Sequence, residues 1–250
     1  MSDPYVYPNT SILKNKFHLK DEAKLSQMER LYSTSRLAEI KEKAIAGNFD
    51  LKHLQSIHKH IFQDVYDWAG KIRTVEIAKS TMFCPLRNLD DYQKGMFTSL
   101  KKENYLAGVD IETFTKRAAH YLGEINMIHP FREGNGRTQR EFIRELALHA
   151  GYDLNLDNPA ISTERMLQAS IQSANVNNDG LEAIIRENIS PIQPLSNEVN
   201  KNTLPERKQP ISQAIKDDAN QLLQQIEKTR GKAKEKVKDN SKKGPSMSVM

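Results

Sequence analysis

The stretch HPFREGNGRTQR at residues 129–140 joins two amphipathic patterns that set the centre of the predicted fold. Upstream, apolar residues recur at helical spacing over 111–128, and Asp110 is a suitable N-cap for that helix. Downstream, the apolar residues of 137–149 repeat in the same way until Gly151 ends the helix. The stretch is therefore predicted to form a loop whose last residues lie at the N-terminus of the second helix.

Apolar periodicity predicts helices along most of the remaining chain. They are expected near residues 21–45, 51–65, 88–103, 162–174 and 179–189. Residues 71–84 differ, because the segment TVEI at 74–77 alternates polar and apolar residues as a strand does. The whole pattern predicts an all-α helical bundle that carries one short β-hairpin.

The composition divides the 250-residue chain near Pro191. Residues 1–190 are predicted to form one domain that begins with an ordered but irregular arm. The polar remainder, 191–250, contains a lysine-rich run at 230–243. It is predicted to be a basic extension, partly helical or disordered, with one exposed helix at 211–227. Because much of the basic charge lies there, the net charge of +5 says little about the domain, and nucleic acid is not an expected partner.

Cysteine content and hydropathy exclude several classes of protein. The single cysteine, Cys84, excludes a disulfide framework and a multi-cysteine zinc site. The N-terminus lacks the basic start and apolar stretch of a signal peptide, and no apolar run approaches the length of a membrane span. A cytoplasmic location without a membrane span is therefore expected.

The central loop contains groups that suit phosphate. Gly134 and Gly136 flank Asn135, and glycines let the backbone turn sharply and approach a ligand closely. Successive N–H groups in such a turn, at a helix N-terminus, form an anion-binding nest. Guanidinium groups bind phosphate oxygens in pairs. Three of them follow on one helix face: Arg137, Arg140 and Arg144.

An ionisable base and a carboxylate lie in the same loop. His129 titrates near neutral pH and can therefore act as a general base. Glu133 offers hard oxygen ligands, and Mg²⁺ in proteins is usually held by one or two carboxylates together with substrate phosphates. No GxxxxGK(S/T) sequence is present, so the loop is not a P-loop. These groups together predict nucleotide-dependent, phosphoryl-type chemistry.

The sequence HPFREGNGRTQR resembles the Fic (filamentation induced by cAMP) family signature, HPFx(D/E)GNGRxxR, at every position. The segments EIN at 124–126, DWAGKIRT at 67–74 and DPYVYPNT at 3–10 also resemble this family. The resemblance covers roughly residues 3–190. It implies a Fic fold and protein adenylyltransferase activity, with ATP and Mg²⁺ as cofactors.

The resemblance assigns a role to each matching residue. His129 would deprotonate the target hydroxyl that attacks the α-phosphate of ATP, and Phe131 would anchor the loop in the core. Glu133 would hold Mg²⁺. The phosphate contacts would come from Gly134, Asn135 and Gly136 (α and β), Arg137 (β) and Arg140 (γ). The segment 71–84 resembles the family's flap, which clamps the target protein by strand-like pairing.

Several alternatives accompany this interpretation. Family members with lysine at the Gly136 position resemble the Doc toxin and phosphorylate their targets, so glycine favours adenylylation. Transfer of UMP or phosphate, and a silent nucleotide-binding module, are the rival functions. His58 and His60 lie on one helix without an evident third ligand, so a metal site there is not expected. Arg144 matches no family position and is interpreted as structural.

The expected partners also follow from the resemblance. Topoisomerase subunits and small GTPases are both targets in the family, and the flap would dock the target. Many members carry an inhibitory helix with the pattern (S/T)xxxE(G/N). Only residues 99–104 match it, and they lie in neither family location. A separate small antitoxin is therefore expected to supply the helix.

The lysine-rich run is either a solvated tail or a secretion signal for transfer into a host or recipient cell, with weak nucleic-acid contact as a third reading.

Overall fold

The computed structural model describes residues 3–78, 83–192, 213–226 and 228. These residues are mostly helical, as the periodicity predicts, and the all-α fold class is confirmed. The helices are α1 (Glu22–Glu42), α2 (Leu51–Phe62), α3 (Leu86–Lys102), α4 (Ile111–Ile128), α5 (Asn135–Ala150), α6 (Thr163–Ala174) and α7 (Asp179–Glu187). The structure also contains a short 3₁₀ helix (Asn104–Leu106) and two short strands, β1 (Tyr152–Leu154) and β2 (Ile189–Pro191).

Capping side chains fix where several helices begin. Asp21 accepts a hydrogen bond from the N–H of Lys24 at the start of α1. The Asp110 carboxylate accepts from two backbone N–H groups in the first turn of α4, as its predicted capping role requires. These bonds satisfy donors that have no partner within the helix. The sequence therefore located these two starts correctly, to within one residue.

Helices α4 and α5 lie at the centre of the core. They pack against one another, and α2 and α7 cover them on further sides. The buried stripe of α4 and the buried face of α5 contain the residues that the periodicity indicates: Phe114, Ala118, Tyr121, Leu122, Ile125, Phe142, Leu146 and Ala147. This packing holds both ends of the 129–134 loop on rigid elements, so the loop is anchored from both sides.

The small sheet forms away from the predicted hairpin. Strands β1 and β2 pair antiparallel, with Tyr152 opposite Pro191 and Leu154 opposite Ile189. Each strand has three residues, which is too short for a strand period to be visible in the sequence. In the predicted flap, neither 71–78 nor 83–84 contains a named strand, and residues 79–82 lie outside the described residues.

Part of the extension packs on the domain. Residues 213–226 are helical, and their side chains Ala219 and Ile226 are buried. The hydroxyl of Tyr32 donates to Asn220 Oδ1 at 2.9 Å, and Lys216 forms an ion pair with Glu39 on α1. The predicted helix is thus present. It is less exposed than predicted, because its apolar side packs against α1. The lysine-rich run at 230–243 lies outside the described residues.

None of the helices in the described ranges has the length and hydrophobicity of a membrane span.

Candidate active site

Two left-handed residues set the shape of the loop between α4 and α5. His129 caps the C-terminus of α4 at φ 45°, and Gly134 caps the N-terminus of α5 at φ 83°. A Cβ on Gly134 would lie 2.3 Å from a ring carbon of Phe62. Glycine is therefore required at 134 for two independent reasons, the backbone angle and the close approach of the Phe62 ring.

The side chain of Asn135 closes the loop. Its Oδ1 accepts from the N–H of Phe131 at 2.9 Å, and its Nδ2 donates to the carbonyl of Phe131 at 2.7 Å. The Phe131 ring is buried and stacks on His58 at 3.8 Å between ring centroids, in the anchoring position expected of it. Since the Asn135 amide is used within the loop, only its backbone N–H is left for the predicted phosphate contact.

His58 supports the loop from α2. Its Nδ1 accepts from the N–H of Gly70 at 2.8 Å, so Nε2 carries the proton that it donates to the carbonyl of Glu133 at 2.9 Å. Burial, against the opposing effect of the Glu133 hydrogen bond and with a smaller contribution from the Arg137 charge, lowers the pKa of His58 to about 4. The imidazole is therefore neutral at physiological pH and acts as a structural bridge. Among the described residues, no group of three or more His, Cys, Asp or Glu side chains could hold a metal ion.

His129 presents its ring to the cavity beside the loop. Its Nδ1 lies 3.2 Å from the carbonyl of Asn126. Because a carbonyl can only accept, this bond requires Nδ1–H and leaves the lone pair of the neutral ring on Nε2. The ring stacks on Phe83 at 3.7 Å between centroids and is mostly buried. The tautomer and orientation therefore suit a general base that acts through Nε2.

Arg73, which the motif does not include, connects the predicted flap to the loop. Its side chain is buried and Nε donates to the carbonyl of His129 at 2.8 Å. The N–H of Arg73 donates to the carbonyl of Pro130, also at 2.8 Å. The guanidinium further donates to the carbonyls of Val75 and Cys84, on the two flanks of the flap. The only sequence signal was its place within DWAGKIRT, which does not reveal these long-range contacts.

The predicted anion site corresponds to the first turn of α5. Helix α5 begins at Asn135 rather than at Arg137, because Asn135 closes the loop and Gly134 provides the cap. Within the described part of the chain, the N–H groups of residues 135–137 donate to no protein acceptor. The N–H of Gly134 donates to Oε1 of its neighbour Glu133 at 2.9 Å. That bond holds the Glu133 carboxylate beside the anion site, where it fits Mg²⁺ shared with phosphate oxygens.

The three arginines of α5 have three different environments. Arg137 donates to Ser33 Oγ at 2.8 Å, forms an ion pair with Glu29, and lies 4.6 Å over the Phe62 ring, so it faces α1. Arg140 lines the cavity, and its Nε donates to Asp157 Oδ1 at 3.1 Å. Arg144 forms a bidentate pair with buried Glu141, as a structural residue would. Of the two predicted phosphate ligands, only Arg140 has its side chain at the cavity.

A cavity of about 650 Å³ brings together part of this set, and Glu133, Gly134, Asn135 and Arg137 are not among its lining residues. His129, Gly136 and Arg140 line one side of it. The opposite wall comes from the turn after β1 and from α6. Its apolar residues are Leu156, Ile161, Met166, Leu167 and Ile171, and polar residues lie between them: Asp157, Asn158, Ser162, Thr163 and Ser170. The sequence pattern did not identify this wall, because its residues lie outside the motif and reach the cavity only through the tertiary fold.

The comparisons with known proteins agree with this geometry. The model of the Fic/DOC family matches residues 48–147. The chain is 42% identical to the protein adenylyltransferase VbhT of Bartonella schoenbuchensis over 190 residues, which are 76% of this chain and 39% of VbhT. It therefore spans well under half of VbhT.

Another relative is similar over nearly its full length. The chain is 38% identical to the probable protein adenylyltransferase y4lH of Sinorhizobium fredii, over 76% of this chain and 97% of y4lH. Among solved structures, it is similar to BepC of Bartonella tribocorum, a VirB-translocated effector with bound AMPPNP. The TM-score is 0.68 at 25% identity, over 75% of this chain and 96% of BepC.

Replacing Arg73 with lysine is expected to lower the free energy of unfolding by about 3 kcal/mol, because several buried carbonyl groups lose their donors. Chemical denaturation measures the change. Exposed Arg87 on α3 provides the matched control, and Arg87→Lys should change the free energy by less than about 0.5 kcal/mol. Equal effects of the two substitutions would contradict the bridging role of Arg73.

His58 makes the unfolding free energy sensitive to acid. Its folded pKa of about 4 lies below the ordinary 6.5, so the unfolded chain binds a proton first as the pH falls. The contribution is fully present above about pH 6.5 and is lost toward pH 4. Between pH 7 and pH 5, His58 should account for about 2 kcal/mol of the loss.

The measurement is urea denaturation of the wild type and of His58→Asn at both pH values. The variant should be less stable at pH 7 but should lack this part of the pH dependence. His149→Asn, at an exposed position on α5, should retain it. A His58→Asn chain with the wild-type pH dependence would exclude His58 as the source.

Proposed function

This chain belongs to the Fic/DOC family, and from that premise we propose that it is a protein adenylyltransferase. It transfers AMP from ATP to a hydroxyl side chain (Ser, Thr or Tyr) of a target protein. The observation that supports the proposal best is the single cavity in which His129, the first turn of α5 and Arg140 meet. The same cavity thus contains a general base (His129), the proposed anion site (the first turn of α5) and a cationic ligand for a further phosphate (Arg140).

The proposed reaction is a displacement at the α-phosphorus. The target hydroxyl oxygen forms a bond to the α-phosphorus, and the bond from that phosphorus to the oxygen bridging the α- and β-phosphates breaks. His129 Nε2 takes the hydroxyl proton, and pyrophosphate leaves. The bond between Nδ1 and the Asn126 carbonyl keeps the ring in the tautomer that this step needs.

The chain's own groups bind and orient the triphosphate. The N–H groups of residues 135–137 provide fixed donors for the α- and β-phosphates at the positive end of the α5 dipole. Arg140 contacts the γ-phosphate. Arg137 is the proposed contact for the β-phosphate, and its guanidinium is also held by Glu29 and Ser33 on α1. Such fixed donors stabilise the developing charge without rearrangement.

Glu133 is the residue that would hold Mg²⁺ together with phosphate oxygens. The ion, when bound, neutralises charge on the phosphates and on the departing pyrophosphate. The base of the nucleotide lies against the apolar residues of the wall at 156–171, such as Leu156 and Met166, which would bury the faces of its ring. These placements account for ATP rather than an isolated phosphate as the ligand.

Transfer of the γ-phosphate is the nearest rival within the enzymes. A Cβ at Gly136 would lie 3.3 Å from Arg140 Nη1, so any side chain at 136 crowds this arginine. Glycine keeps Arg140 at the cavity and favours a nucleotide held with its γ-phosphate away from the base. A silent nucleotide-binding module is the rival outside the enzymes, and the tautomer of His129 together with the complete motif disfavours it.

Isotope position separates these functions. With α-labelled ATP the wild-type chain should label target proteins in a lysate, and with γ-labelled ATP it should not. Mass spectrometry of the labelled proteins identifies the target and the modified hydroxyl. Label that appears only from the γ-position would replace adenylylation by phosphorylation, and no label from either source would favour the silent module.

Removal of the base is expected to stop transfer and spare ATP binding. His129→Ala should lower the rate by about 10²–10⁴-fold, because proton removal in the transition state is lost. His129→Asn is the better control, since asparagine tolerates the left-handed backbone at this position. ATP affinity, measured by calorimetry, should stay within about threefold in both. A variant that retains the wild-type rate would remove His129 from the mechanism.

A small separate antitoxin restrains the enzyme in this proposal. The one match to the family's inhibitory pattern places its glutamate, Glu103, at the C-cap of α3. That carboxylate accepts hydrogen bonds from Arg117 and Tyr121 at 2.7 Å each and is therefore committed elsewhere. This match lies in neither family location, and no other segment of the sequence contains the pattern.

The purified chain alone should therefore be active, and Glu103→Gln should not increase its transfer rate. A chain that stays silent until one of its own glutamates is replaced would contradict the antitoxin proposal. The site of action is proposed to be the cytoplasm of the producing cell or of a cell that receives the protein. Fusion to a translocation reporter distinguishes these two locations.

A further inference from the structure

We propose that Asp157 is a positioning residue for Arg140. By binding the guanidinium of Arg140, Asp157 orients its terminal N–H groups toward the γ-phosphate of ATP. Asp157 lies in the turn after β1 and lines the same cavity as Arg140 and His129. No motif includes it. The proposal rests on the proposed function, because it concerns a residue that acts on the nucleotide through Arg140.

The contact between the two side chains uses one edge of the guanidinium. Asp157 Oδ1 accepts from Arg140 Nε at 3.1 Å. Within the described part of the chain, no protein acceptor takes the N–H groups of Arg140 Nη1 or Nη2. Nη1 lies 3.3 Å from the position of a Cβ on Gly136, and therefore over the first turn of α5. The terminal groups thus lie beside the backbone N–H groups assigned to the α- and β-phosphates.

Hydrogen bonds to Asn188, at the end of α7, hold the turn that contains Asp157. The N–H of Asn155 donates to the carbonyl of Asn188 at 3.0 Å, and the side chains of Asn158 and Asn188 are joined at 2.8 Å. Asn158 Oδ1 also accepts from the N–H of Ala160 at 3.0 Å. These bonds tie the turn to the end of α7. The carboxylate therefore starts from a fixed backbone position, as a positioning group requires.

A negative side chain beside a triphosphate needs compensation, and α1 provides it. Lys41 Nζ, in the last turn of α1, lies 3.5 Å from Asp157 Oδ2. Arg140 and Lys41 carry two positive charges against the single charge of Asp157, and the neighbouring Glu141 is paired with Arg144. The cluster therefore has an excess positive charge that favours the anionic ligand.

The edge of the Arg140 guanidinium that Asp157 binds distinguishes a positioning role of Asp157 from an inhibitory one. A carboxylate that blocked the nucleotide would occupy the terminal edge of Arg140, in competition with the γ-phosphate. Asp157 instead binds Nε and leaves the terminal edge to the ligand. Replacing Asp157 should therefore weaken ATP binding, whereas the loss of an inhibitory carboxylate would strengthen it.

The test compares two nucleotides that differ only in the γ-phosphate. Affinities for ATP and for ADP are measured by calorimetry with Mg²⁺, on the full chain in the His129→Asn background to prevent turnover. Asp157→Ala should weaken ATP binding about fivefold, as expected for an ion pair at a partly exposed site. Its effect on ADP should be less than about twofold, because ADP makes no use of the oriented edge.

Two further variants sharpen the result. Asp157→Asn should stay within about twofold of the parent for ATP, because its amide oxygen still accepts from Nε. Asp153→Ala, at an exposed position on β1 that does not line the cavity, should change neither affinity. Thermal melting checks that all variants fold, which is expected since both aspartates lie at the surface.

Three results would overturn the positioning role. They are equal weakening of ATP and ADP, tighter ATP binding in Asp157→Ala, and no change in either affinity. Absence of ATP binding in both the wild type and the His129→Asn parent would instead reject the proposed function itself. The two failures are therefore distinguishable.

Discussion

The double hydrogen bond between the Asn135 side chain and the backbone of Phe131 is the interaction on which the active site depends. It turns the chain back at the start of α5 and fixes the loop as a closed unit. The Phe131 ring is buried beneath that unit against His58, whose own hydrogen bonds reach Glu133 and Gly70. Without this closure, the N–H groups in the first turn of α5 and the imidazole of His129 would not be held in fixed positions relative to one another.

The closed loop explains why the site is rigid before any ligand binds. His129 is held through its backbone by Arg73 and through its ring by Phe83 and the Asn126 carbonyl. Both ends of the loop continue into buried helices, so a displacement would disturb core packing. Fixed donors and a fixed base need little rearrangement in the transition state, and this is the main source of electrostatic catalysis in such sites.

The sequence was sufficient for most of the helices, and insufficient for the two short strands and for contacts between distant residues. Periodicity and the Asp110 cap placed α4 correctly, because both signals are local. The roles of Arg73 and His58, and the apolar wall after β1, depend on residues that meet only in the folded chain. Likewise, Arg137 and Arg140 look equivalent in the sequence, yet Glu29 on α1 draws one of them away from the cavity.

The different environments of these two arginines bear on regulation. Arg137 is committed to α1 by an ion pair and a hydroxyl, so it stabilises the arrangement of α1 against α5. Among the described residues, the protein acceptor for Arg140 is Asp157, which binds Nε, and the side chain lines the cavity. An inhibitory glutamate from a partner and the γ-phosphate of ATP would both need the terminal edge of the Arg140 guanidinium. Inhibition by such a partner would therefore be competitive with the nucleotide.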